Sequence, residues 1–379
     1  MSIIYIHVGT PKTGTSAIQA FCDANQDALH QFGFDYPKPN LEFPGISPKR
    51  NAHFYNYKTK DAKKNRLKDE DAKNIEIGVQ SIKKSIDAGY NPILSDENFW
   101  NNVEMTTERL TEIRKQLETL GASIKIVVYL RRQDLLLQSY WAQQVKETST
   151  LTFSSYISKG KYKMFRTDYY DRISEFAEVF GKENILVRVY EKQQFKNGNI
   201  THDFLQTIGI NSTEQFTQSD AVVNISLEGI TLEVKRLLNS NSEFKSKQSF
   251  ILPYLKNVQK SFQEQEGYKK PVYFSSQEQK DFLSQFEECN RKIATEYLSR
   301  QDGILFMDTD IIEGDNATNY SASELVACLG EVILLQRQKI DELKEQKNRS
   351  AIKSQSKPKD KPKQKKKSLC ARVRRKLHI

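Results

Sequence analysis

A three-layer α/β fold, with a parallel sheet covered by helices on both faces, is what this 379-residue sequence predicts. Three observations lead there. Short apolar, β-branched runs at Ile3 to Val8, Ile124 to Leu130 and Ile185 to Val189 alternate with stretches whose apolar residues recur at helical spacing. The first run feeds a turn rich in Gly and Thr. A hydrophobic content of 37% against 28% charged residues describes a polar-surfaced chain long enough to bury a large core.

The elements follow in order. Ile3 to Val8 reads as a buried strand ending at Gly9, and Ile18, Phe21, Cys22, Leu29 and Phe32 mark a helix starting at Thr15 or Ser16. Phe34 to Lys60, rich in Pro and aromatics, reads as a long functional loop or lid. Ile75, Val79, Ile82 and Ile86 predict a second helix closed by Gly89, and Pro92 to Ser95 a brief strand. Leu110, Ile113, Leu117 and Leu120 give a third helix ended by Gly121. The run from Ile124 to Leu130 is the clearest strand, leading through Arg131-Arg132-Gln133-Asp134 into a helix that reaches about Glu147. Ile173, Phe176, Ala177 and Phe180 predict another helix, and the segment from Asp220 to Arg300 is mainly helical. Gly303 to Phe306 is expected to add a last strand.

Residues 1–315 are thus expected to form the α/β domain. A long helix over 316–349 follows, with Leu325, Leu329, Ile333, Ile340 and Leu343 on one side. It is a candidate coiled coil and oligomer contact, although Gln336, Gln338 and Lys339 make a weak seam. Residues 350–379 form a basic low-complexity tail that is expected to be disordered.

The net charge of +10 belongs to that tail. From Lys344 onward there are 15 Lys/Arg and two acidic residues, leaving 43 basic and 46 acidic side chains elsewhere. A nucleic-acid-binding face on the globular part gains no support from this balance. Three expectations remain for the tail: a solvated segment, attachment to an anionic membrane surface through its charge and Leu369, Val373, Leu377 and Ile379, or binding of nucleic acid or an anionic polysaccharide by the same charge. The N-terminus opens on strand residues with no basic region or cleavage site. The four cysteines are scattered singly. A cytoplasmic protein is expected, at the inner membrane face if the tail attaches there.

The chemistry is concentrated in the turn Gly9-Thr10-Pro11-Lys12-Thr13-Gly14-Thr15-Ser16. A buried strand, a Gly-rich turn and a helix N-terminus make an anion cradle, because backbone N–H groups and the helix dipole converge on one point. A nucleotide-hydrolase loop would place Lys directly after the second Gly. Here Thr15 holds that place and Lys12 sits inside the loop, where it can lie against the bridging oxygen of a phosphosulfate as that bond breaks. A nucleotide or small-molecule kinase and a catalytically silent, tail-tethered binding protein remain as alternatives.

The stretch from His7 to Ser16 resembles the phosphosulfate loop of bacterial sulfotransferases with a P-loop-type fold, which use 3′-phosphoadenosine 5′-phosphosulfate. The resemblance implies that Gly9 to Ser16 bind the 5′-phosphosulfate and that Lys12 assists departure of the nucleotide. Arg131 with Ser139, spaced R-x7-S after a strand, resembles the 3′-phosphate site, with Arg132 as a rival contact or as a salt-bridge partner of Asp134. Tyr190, in Val187-Arg188-Val189-Tyr190-Glu191, is similar to the strand-end residue near the adenine, and Asn224 to Leu227 resembles an N-x-S-L segment that recurs in that family. Glu97, in Ile93-Leu94-Ser95-Asp96-Glu97-Asn98, is the candidate base, with His53 its rival. What the resemblance implies is sulfuryl transfer to a hydroxyl, on a carbohydrate or glycolipid, with no metal. The five histidines lack metal-ligand spacing.

Overall fold

The computed structural model describes residues 2–160, 166–217, 225–246, 248–308, 311 and 319–355. The tail from residue 356 and Asn224 lie outside the described residues. Five parallel strands form the sheet: β1 (Ile3–Gly9), β2 (Phe34–Asp35), β3 (Asn91–Ser95), β4 (Ser123–Leu130) and β5 (Ile185–Val189), in the order β2-β3-β1-β4-β5.

Alternation along the strands splits the core in two, since successive side chains point to opposite faces. Ile4, Ile6 and Val8 of β1 join Ile124, Ile126 and Val128 of β4 on one face. That face is covered by α3 (Lys68–Asp87), α5 (Thr107–Glu118) and α8 (Tyr169–Phe180). Tyr5, Ile93, Val127 and Tyr129 point the other way, toward α1 (Thr15–Ala24), α2 (Gln26–Gln31) and α9 (Ile200–Thr207). Between them in the chain lie α4 (Asn98–Asn101), α6 (Gln133–Glu147) and α7 (Phe153–Ser158). β1 therefore sends its helix to one face, while its neighbours β3 and β4 send theirs to the other. Such a reversal opens a crevice at the carboxyl ends of the strands, where ligands bind in open α/β sheets.

A third core lies away from the sheet. Leu137, Trp141 and Val145 of α6 pack with Leu232 of α10 (Gly229–Leu238), beyond which α11 (Ser242–Ser246) leads to α12 (Gln248–Gln263), where Leu255 and Val258 join them. Phe282 of α13 (Ser276–Ser284) completes this group, and α14 (Glu287–Leu298) returns to the first face through Ile293 and Ala294. The long helix α15 (Ala322–Gln355) buries Cys328 and Val332 in the third core. Val326, Ile333, Leu334, Ile340 and Leu343 stay exposed.

Three expectations need correction. The helix expected to run through Phe32 is two helices. It breaks at Asn25, whose amide donates to the carbonyls of Phe21 (2.9 Å) and Thr217 (3.0 Å) instead of leaving the helix ladder intact. The segment 34–60 carries β2, and Tyr36, Ala52, Phe54 and Tyr55 are buried, so much of it is core rather than lid. Residues 303–306 form no strand. Arg300 donates to the carbonyls of Ile304 and Leu305, in place of any ladder partner.

Candidate functional site

β1 ends in the Gly-rich turn because Gly9 turns the chain at φ 109°, a region in which side chains are strained. The turn is pinned to β4: the Thr10 N–H and hydroxyl both donate to the Tyr129 carbonyl, at 2.9 and 3.1 Å. The Thr13 hydroxyl donates back to the Thr10 carbonyl. Gly14, at φ 75°, starts α1. A Cβ there would stand 2.7 Å from Ile200 Cδ1 and 3.2 Å from Tyr190 Cε2, so a side chain would have to push these aside besides straining the left-handed backbone. The first N–H groups of α1 have no partner within the helix and face the turn.

Lys12 Nζ donates to Gln143 Oε1 of α6 at 3.0 Å. Burial, then the nearby Lys146 ammonium, pull its pKa down to about 8. Arg131 leaves the end of β4, and its Nη1 donates to the Lys12 carbonyl at 3.0 Å. Its guanidinium also lies 5.6 Å from the ring centroid of Tyr190, at the end of β5. Arg131 and Tyr190 line a cavity of about 1000 Å³, shared with Leu135, Lys192 and Lys270. Leu135, Ser139 and Gln143 are spaced by four on α6, so Ser139 shares a helix face with a residue of that cavity and with the partner of Lys12. Arg132 is elsewhere. It is buried, bound to both oxygens of Asp134 at 2.8 and 3.0 Å and to the Asp308 carbonyl. Of its two readings, the salt bridge is the one found.

Across β1, the end of β3 carries Ser95, Asp96 and Glu97. Glu97 lies against the turn, its Cβ 3.4 Å from where a Cβ on Gly9 would stand. Its carboxylate meets Arg50 Nη1 at 3.2 Å and accepts from Gln19 at 3.4 Å. Asp96 is fully buried. It accepts from Arg50 and from the Asn98 N–H (2.8 Å), and its other oxygen meets His53 Nδ1 at 2.6 Å. Burial alone would raise its pKa, but the His53 hydrogen bond and the Arg50 charge outweigh that and hold it below the ordinary value. His7 stands apart as a structural residue. Burial takes its pKa down to about 3, and its Nδ1 lies 2.9 Å from Ser95 Oγ.

The candidate residues named from sequence therefore gather along one sheet edge, with His53 joined to Glu97 through Asp96 and Arg50. Sequence reasoning missed Arg50, Asp96, Gln143, Lys192 and Lys270. Asp96 was within reach, since it stands beside Glu97 on the same strand end. The others carry no local pattern.

The class that fold and turn define is an α/β protein with a Gly-rich turn at the carboxyl edge of a parallel sheet. No family model matches the chain. A protein of Archaeoglobus fulgidus, described only as uncharacterized, is 31% identical over 220 residues, or 58% of this chain. The chain spans 57% of that relative's length. Among solved structures, the crystal structure of a sulfotransferase from Alicyclobacillus acidocaldarius aligns over 68% of this chain and 96% of its own, with 17% identity and a TM-score of 0.38. Among the described residues, no helix is long and apolar enough to cross a membrane.

Proposed function

We propose that the protein transfers a sulfuryl group from 3′-phosphoadenosine 5′-phosphosulfate to an acceptor hydroxyl on a carbohydrate or glycolipid. One observation carries this reading: Arg131 Nη1 bonds the Lys12 carbonyl at 3.0 Å and its guanidinium lies by Tyr190, so the turn and the R-x7-S segment meet at one crevice. A Gly-rich turn and an arginine that meet beside a cavity of about 1000 Å³ suit a donor with phosphate at both its 3′ and 5′ positions.

In this reading the turn from Gly9 to Ser16 holds the 5′-phosphosulfate, and Arg131 with Ser139 holds the 3′-phosphate. Tyr190 flanks the base, and Lys192 and Lys270 with Arg131 outnumber the Glu191 and Asp308 carboxylates in the cavity wall. The acceptor oxygen forms a bond to sulfur while the bond from sulfur to the bridging phosphate oxygen breaks. Lys12 stabilises the charge that collects on that oxygen, and 3′,5′-diphosphoadenosine leaves. Glu97 takes the acceptor proton, because its Cβ abuts the turn and Arg50 and Gln19 fix the direction of its carboxylate. One observation favours His53 as a second candidate. Asp96 binds its Nδ1, an arrangement that sets the tautomer and leaves Nε2 to accept a proton. None of these roles calls for a metal ion.

Retention on immobilised 3′,5′-diphosphoadenosine, eluted competitively with ATP, tests the donor. The expected result is retention that ATP does not reverse. Preference for ATP would overturn the sulfotransferase reading, and failure to bind either would favour the silent one.

A further inference from the structure

Beside the Asp96–His53 pair opens a second cleft, of about 440 Å³, within the range of small-ligand sites. His53 stands in its wall. Four asparagines, Asn56, Asn98, Asn101 and Asn102, line it together with Tyr57 and Lys58, and Ile46 is its lone aliphatic side chain. Such a lining suits neither a lipid chain nor an apolar ring. The Lys58 ammonium is paired with Glu104, which leaves the exposed Lys60 as the charge the lining adds, against four neutral amides.

Two atoms in this wall lack what buried polar atoms normally have. Asn56 Nδ2 and Asn101 Oδ1 are buried and have no hydrogen-bond partner among the described residues. Their other ends are fixed: Asn56 Oδ1 accepts from Asn102 at 3.2 Å, and Asn101 Nδ2 donates to the Tyr140 hydroxyl at 2.6 Å. An unsatisfied donor and an unsatisfied acceptor thus lie just behind the surface of the cleft, each within a side-chain rotation of it. A hydroxyl donates and accepts at once, and a ring bearing several hydroxyls can satisfy both. The cleft is also coupled to the reacting edge. Asn98 follows Glu97 directly, and its N–H donates to Asp96. A neighbouring hollow of about 580 Å³ shares Asn56, Tyr57, Asn102 and Glu104 as walls, giving room beyond a single ring.

We infer that this asparagine-lined cleft is the acceptor site and that it takes a saccharide, with Asn56 and Asn101 selecting its hydroxyls. The inference rests on the sulfotransferase reading for the direction of chemistry, but the cleft itself is tested by binding alone. A printed glycan array spanning neutral, amino and acidic sugars is probed with the labelled full chain saturated with 3′,5′-diphosphoadenosine. Binding to a subset of glycans is expected, with at least a tenfold loss of signal in the Asn56→Ala/Asn101→Ala double variant. A melting curve checks that the variant is folded, and Asn56→Gln with Asn101→Gln serves as a milder pair if it is not. No glycan bound, or binding unchanged in a folded variant, overturns the proposal. Nucleotide retention measured on the same samples keeps the two readings apart. A chain that holds the nucleotide but no glycan refutes the cleft alone, and a chain that binds glycans through Asn56 and Asn101 but no nucleotide refutes the donor alone.

Discussion

The two sides of the sheet's carboxyl edge are built from different materials. On the side of β1 and β4 the cradle is largely backbone: two glycines at positive φ, a helix N-terminus and carbonyls at Lys12 and Tyr129 that accept from Arg131 and Thr10. On the side of β3 the site is a chain of side-chain charges, in which Arg50, His53, Asp96 and Glu97 come from two segments more than 40 residues apart. A backbone cradle depends on a few positions where a side chain is strained. A charge network depends on every member, because each buried group is stable only with its partner present. The first kind of site is set by local sequence, and the second only by the finished fold.

The largest expected effect lies on the network side. Glu97→Gln should lower turnover by about 10²–10⁴-fold, the usual worth of a positioned base, while nucleotide retention stays near that of the parent. If His53→Gln instead produces the larger loss, the base is the member held by Asp96. On the cradle side, Lys12→Ala should lower turnover by about 10²–10³-fold. The lysine must be protonated to hold the leaving oxygen. With its pKa lowered to about 8, kcat/KM should fall as pH rises through that value. Lys12→Arg should move that alkaline limb out of the measured range, because a guanidinium stays charged. A pH-rate profile with no alkaline limb in the parent would remove Lys12 from the reaction.

Two stability effects follow. Asp96→Ala leaves Arg50 and His53 without their buried carboxylate and should cost roughly 3–5 kcal/mol, read from denaturant midpoints at pH 7. In the native state the Asp96 carboxyl is held below its ordinary pKa, so the folded chain binds fewer protons than the unfolded one. Its contribution is therefore complete above the unfolded pKa and is lost as pH falls through the native one, and the deficit of Asp96→Ala should shrink on acidification. Gly14→Ala should cost about 1–2 kcal/mol, because φ 75° is a left-handed conformation that a Cβ opposes. It should weaken nucleotide retention as well, since the added methyl meets Ile200 and Tyr190.

How far the sequence was readable follows the same division. The strands announced themselves as apolar runs, and the limits of β4 and α6 agree with expectation to within a residue or so. The Gly-rich turn was legible because φ, charge and helix start are all local properties. β2 was missed because two residues at a sheet edge, Phe34 and Asp35, have no periodicity to detect. The break at Asn25 went unseen because its side chain is drawn off by the Thr217 carbonyl, 192 residues away. Arg50 is the clearest loss. Nothing in Pro48-Lys49-Arg50-Asn51 shows that its guanidinium will bridge Asp96 and Glu97.

The helix α15 sets a distance. Its last buried residue is Val332, and from Arg337 to Arg349 every described side chain but that of Asp341 is exposed. At 1.5 Å per residue, the stretch from Gln336 to Gln355 amounts to about 30 Å of rod, or three screening lengths at ordinary ionic strength. A charge placed at the far end of that rod would be screened from the protein body at its anchored end. Binding at that far end would leave the titration of Lys12 and Asp96 undisturbed, so the helix can serve a contact there independently of the sheet edge.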